Sequence, residues 1–79
     1  MTIKDKAVAQ LLKPPAIEYV RSLESLTKEH PNYVDANKVD VGNMIHGFLA
    51  GSGFHWDREI FEKEWPSILQ EAIARLGSK

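Results

Sequence analysis

VGNMIHGFLAGSGFHW, residues 41–56, is the stretch whose reading decides the fold. Its sixteen residues carry no formal charge, in a chain that is 27% Asp, Glu, Lys and Arg. Four of the five glycines and two of the three histidines lie in it. Val41, Met44, Ile45, Phe48 and Leu49 fall at i, i+3, i+4, i+7 and i+8. That spacing makes one apolar stripe on a helix of about 3.6 residues per turn. A strand needs strict alternation, which the adjacent pairs Met44-Ile45 and Phe48-Leu49 break. Asp35, Asn37 and Asp40 are start signals upstream. Gly51 and Gly53, downstream, can take the left-handed conformation that closes a helix. The first part therefore reads as the most buried helix, and the second as the turn into the last helix. Gly42 and Gly47 each cost about 1 kcal/mol relative to Ala inside a helix. Close approach of another backbone or ring is the usual compensation. That neighbour belongs either to the same chain or to a second copy of it.

The rest of the chain is read outward from this helix. Thr2 and Asp5 have capping-box spacing, so a first helix is expected over residues 3–12, with Ile3, Ala7, Val8, Leu11 and Leu12 as its stripe. Its shortness leaves a second reading open, in which residues 1–14 are a flexible arm. Pro14 and Pro15 stop that helix, and Pro15 suits the first turn of the next, expected over residues 15–28. Ile17, Val20, Leu23 and Leu26 form its inner face, with Tyr19 on the margin. His30-Pro31-Asn32-Tyr33 reads as a loop, with Tyr33 and Val34 packing over the core edge. Asp57 is the expected N-cap of the last helix, with Phe54 or Trp56 as a hydrophobic staple. Ile60, Phe61, Trp65, Ile68, Leu69, Ala72, Ile73 and Leu76 have the strongest periodicity in the chain. Pro66 interrupts them, which predicts a kink near residues 62–65 or two shorter helices. Gly77 is the expected C-cap, and Ser78 and Lys79 are expected to be loose. The expectation is an all-α single domain over residues 1–79. It is a small bundle of three main helices with a short N-terminal helix.

Composition narrows the function classes. A chain of 79 residues buries only about 60% of its unfolded surface, so its core is marginal. Small domains often add disulfides, a metal or a partner subunit. With no Cys, disulfides and thiolate metal sites are excluded, and self-association becomes a live possibility. Absence of Cys is compatible with a cytoplasmic setting, which is the expectation. The net charge is −1, and neither half carries the basic stripe that nucleic-acid binding requires. Residues 3–12 are broken by Lys4, Asp5 and Lys6 and do not resemble a secretion signal. The uncharged run is too short and glycine-rich to span a membrane, which takes about 20 apolar residues.

The candidate chemistry is thin. His55 and Glu59 are four apart, and His46 or His30 could complete a metal site. His55 precedes the N-cap, however, and such spacings arise easily by chance, so no metal and no cofactor is expected. His46 reads as a partly buried imidazole at a helix boundary, because no nucleophile pattern accompanies it. Ser52 lies in a Gly-Ser-Gly turn, without the Lys that a phosphate-binding loop needs. Phe54, Trp56, Phe61 and Trp65 are either core or a recognition surface, since aromatics dominate both. The expected interaction surface is Gly42, Met44, His46, Gly47, Phe54, Trp56 and Trp65.

HPNYVDANKVDVGNMIHGFL, residues 30–49, resembles the centre of the YejL-like family of small bacterial proteins. His30, Asp35, Gly42, Asn43 and Met44 match that family's intervals. Arg58, Trp65, Leu69, Gln70 and Ile73 do so further on, after a one-residue shift in the glycine turn. Asn32-Tyr33-Val34 and Pro66 depart from its pattern. The resemblance implies a helical fold and a homodimer of packed helices, and it implies no enzyme activity. The leading expectation is thus a non-enzymatic protein that acts by protein–protein association as a homodimer. The alternative is a monomeric regulator or inhibitor of phage or plasmid type, binding a larger protein through an exposed Phe54-Trp56-Trp65 patch.

Overall fold

A computed structural model describes residues 2–77. Five helices follow in order: α1 (Ile3–Leu11), α2 (Ala16–Glu29), α3 (Tyr33–Ala36), α4 (Lys38–Ala50) and α5 (Arg58–Gly77). No strand occurs among the described residues, so the fold is all-α. The expected looseness of Ser78 and Lys79 lies outside the described residues.

α1 begins with the expected capping box. Thr2 Oγ1 accepts from the Asp5 N–H at 3.1 Å, and Asp5 Oδ2 accepts from the Thr2 N–H at 3.4 Å. Ala7, Val8 and Leu11 are fully buried, so α1 is a core element and not an arm. It packs against α5, α4 and α2. Lys4 Nζ donates to Ser67 Oγ at 2.6 Å, and Arg75 pairs with Asp5 at 3.7 Å. Both contacts are exposed and fix register more than they add stability. α2 buries Ala16, Val20 and Leu23. Ile17 and Leu26, expected inside, are only half-buried, because the inner stripe is rotated by one position.

The segment expected to be a loop before α4 is in part helical. Tyr33–Ala36 forms a single turn, α3. Asn37 precedes α4, yet its side chain makes no cap bond to that helix. Its Nδ2 donates backward to the Tyr33 carbonyl at 3.0 Å, closing α3 instead. Two of the hydrogen bonds at the far end of α4 define how it closes. The Phe54 N–H reaches the Leu49 carbonyl at 3.0 Å, and the Gly53 N–H reaches the Ala50 carbonyl at 3.1 Å. This is the Schellman pattern, with Gly53 in the left-handed region at φ 89°.

α4 is not the most buried helix in the manner expected. Val41, Gly42, Ile45 and Leu49 are buried, but Met44 is 46% exposed and Phe48 is half-buried. The inward stripe is narrow, because α4 lies at the edge of the bundle and has solvent on its outer side. The central element is α5, which packs against α1, α2 and α4. Phe61, Trp65, Ile68, Leu69 and Ala72 are its buried residues. α5 runs unbroken through Pro66, which corrects the expectation of two shorter helices. A proline inside a helix costs about 3 kcal/mol. Each fully buried large apolar side chain returns about 1.5–3 kcal/mol, and four of the five buried residues lie beyond Phe61 on one continuous face. Gly77 is the last residue of α5 and not a left-handed cap.

The two helical glycines of α4 differ. A Cβ on Gly42 would lie 3.0 Å from Trp65 Nε1 and 3.1 Å from Cε2, so the glycine lets the indole approach without displacement. A Cβ on Gly47 would meet nothing within 4 Å. Gly42→Ala should therefore lower stability by about 1 kcal/mol, overpacking outweighing the gain in helix propensity. Gly47→Ala should raise the stability of the dilute monomer by about 1 kcal/mol. Urea titration of both variants checks the opposite signs.

Tyr19 of α2 meets Phe48 of α4, with ring centroids 5.7 Å apart. Burial pushes the Tyr19 phenol above its usual 10.0, and Tyr33 and Asp40 add to the rise. The folded state thus holds this proton longer than the unfolded chain. Its contribution is complete below about pH 10 and fades as pH rises through the folded value. Tyr19→Phe should remove that part of the alkaline loss, as read by thermal unfolding between neutral pH and pH about 11.

Candidate functional site

The site is a groove between the first half of α4 and the start of α5, with a volume of about 290 Å³. Its position follows from how α5 begins. Asp57 Oδ1 accepts from the Glu59 N–H at 3.0 Å, which is the expected N-cap. Trp56, just before the cap, packs on Phe61 with centroids 5.7 Å apart, and Phe54 stacks on Trp56 at 5.8 Å. This is the hydrophobic staple, made by Trp56, and it fixes the angle at which α5 meets α4. Phe61 in turn receives the His46 ring edge-on at 5.1 Å.

Gly42, Phe61 and Trp65 form the groove's floor and inner wall, and Val39 forms its lip. Val39 is 73% exposed. Lys38, Asn43, His46, Arg58 and Glu62 supply its polar lining. Arg58 Nη2 donates to Asn43 Oδ1 at 3.3 Å, and Arg58 Nε lies 3.6 Å from Glu62 Oε1. Arg58 thereby ties α5 to α4 across the groove mouth. Trp65 is 3% exposed. Its Nε1–H meets no acceptor among the described residues, and it is not sealed away from the surface either. It sits where Gly42 leaves space, and both residues line the groove.

The expected interaction residues are thus divided among three places. Gly42, His46 and Trp65 come together in the groove, with Gly42 and Trp65 buried against each other and unavailable as a flat contact surface. Gly47 and Met44 are exposed on the remainder of α4. Phe54 and Trp56 are half-buried in the staple. Lys38, Val39, Asn43, Arg58 and Glu62 were missed as site residues. Their signal was the i, i+4, i+7 spacing of Val39, Asn43 and His46 and of Arg58, Glu62 and Trp65, two rows that face each other.

The candidate metal ligands do not assemble. His55 lies in the loop before the N-cap, and Glu59 in the first turn of α5. Among the described residues no group of three His, Asp or Glu side chains gathers where one metal ion could be held. Ser52 Oγ donates to the Phe48 carbonyl at 3.1 Å and helps to close α4. No described helix is long and apolar enough to cross a membrane. Comparison with protein-family models, with curated proteins and with solved structures finds no match to this chain.

Proposed function

We propose that the chain is a non-enzymatic cytoplasmic protein that acts by protein–protein association, as a homodimer joined through the outward face of α4. The observation that carries this reading is the chemistry of that face. Beyond Asp40, α4 has no charged residue, although the chain is 27% charged. Its exposed positions there are Asn43, Met44 and Gly47. Loss of charge is the compositional mark of an interface centre. Gly47 has no neighbour among the described residues that would account for a glycine. A second α4 crossing at Gly47 would supply one, and an isologous contact needs only this one face from each copy. The resemblance to the YejL-like family points the same way.

A second reading has its own observation. Ile3 and Ile60 are 61% and 54% exposed and border a shallow hollow with Trp56 on the other side of α5. That patch suits a monomeric regulator or inhibitor that docks on a larger protein, with Ile3 and Ile60 replacing the buried Trp65 of the expected patch.

Light scattering after size-exclusion chromatography separates the two readings. The dimer predicts twice the monomer mass of 8.9 kDa, falling toward that mass on dilution. Met44→Glu should give the monomer at every concentration with unchanged helical circular dichroism. A monomer at every concentration for the unmodified chain removes the dimer and leaves the regulator.

A further inference from the structure

We infer that the α4–α5 groove is a binding site for a small free carboxylic acid carrying one apolar ring. The argument rests on three observations independent of the proposed dimer.

The first is the Trp65 Nε1–H, a donor on a side chain only 3% exposed, with no acceptor among the described residues. That N–H is not sealed from the surface, so water serves it when no ligand is bound, and an occupant's acceptor oxygen would take the water's place. The second is charge. The groove has two cations, Lys38 and Arg58, and one anion, Glu62. Glu62 and Asn43 both engage Arg58, whereas Lys38 has no ion-pair partner among the described residues. Lys38 and Gly42 are four apart on α4, so the ammonium and the indole N–H border the same helical turn. A carboxylate above Gly42 can take a hydrogen bond from the indole and an ion pair from Lys38. A neutral or cationic head group satisfies only one of the two, or neither. The third is shape. Phe61 and Val39 offer apolar walls, and a volume of about 290 Å³ lies at the lower edge for ligand sites. That is room for one ring and a short acidic arm.

Nuclear magnetic resonance of the ¹⁵N-labelled chain tests this through the Trp65 indole N–H signal, assigned apart from that of Trp56. Phenylacetate is the probe, with acetate and phenethylamine as its two halves. Phenylacetate should shift the Trp65 signal saturably, with half-saturation on the order of millimolar for a ligand this small. Acetate and phenethylamine should each bind about tenfold more weakly, and Lys38→Gln should weaken phenylacetate about tenfold. Lys38 is exposed, so that variant keeps the fold. Absence of a saturable shift overturns the inference, as does equal binding of phenethylamine or unchanged affinity in Lys38→Gln. Asn43 belongs both to the groove and to the face proposed for the dimer, so the titration is repeated with Met44→Glu, which tells a groove covered by a second copy from one that takes no acid.

Discussion

The fold depends on hiding one face of α5. Phe61, Trp65, Ile68, Leu69 and Ala72 form a buried stripe along a single helix, and a chain of 79 residues has few elements with which to cover it. α1, α2 and α4 each take a share. The Trp65 indole packs close against the backbone of α4, where a Cβ at position 42 would lie 3.0 Å from its Nε1. This one contact brings α4 near enough for Val41, Ile45 and Leu49 to reach the core. The continuity of the same stripe also explains why Pro66 does not divide α5.

Much of this architecture was legible in the residues, and the misses have physical causes. Helix periods, the Thr2–Asp5 capping box, the Asp57 cap, the Trp56 staple and the glycine turn all rest on contacts within a few residues. Tertiary arrangement decided the rest. Met44 lies on the stripe of an ideal amphipathic helix, but α4 is covered on one side only, so that side chain stays in contact with solvent. Periodicity also favoured α4 as the spine, because its lack of charge resembles burial. The same lack of charge on an edge helix is better understood as an outward face. Ala16 is buried where Ile17 was expected, since the rotation of α2 is set by its neighbours and not by its own pattern. The groove was hidden for a further reason. Its residues are mostly polar or charged, and only the crossing of two helices brings their rows together.

The two functional proposals follow from one geometric fact. α4 is wedged against α5 by its inner side and left uncovered on its outer side. The inner edge yields a groove whose indole donor and lysine have no hydrogen-bond or ion-pair partner among the described residues. The outer face yields an uncharged surface around Gly47. Gly42 and Gly47, five residues apart, therefore serve opposite ends. One lets a ring in from the same chain, and the other lies on the face proposed to meet a second chain.

The central claim is that α5, held by Trp65 on Gly42, is the spine of the molecule. Native-state hydrogen exchange tests it most directly, because the amides that open last mark the most stable unit. The account predicts the slowest exchange at Trp65, Ile68, Leu69 and Ala72, with α4 amides opening earlier. Slow exchange confined to α4, with the α5 amides beyond Pro66 opening freely, would contradict it.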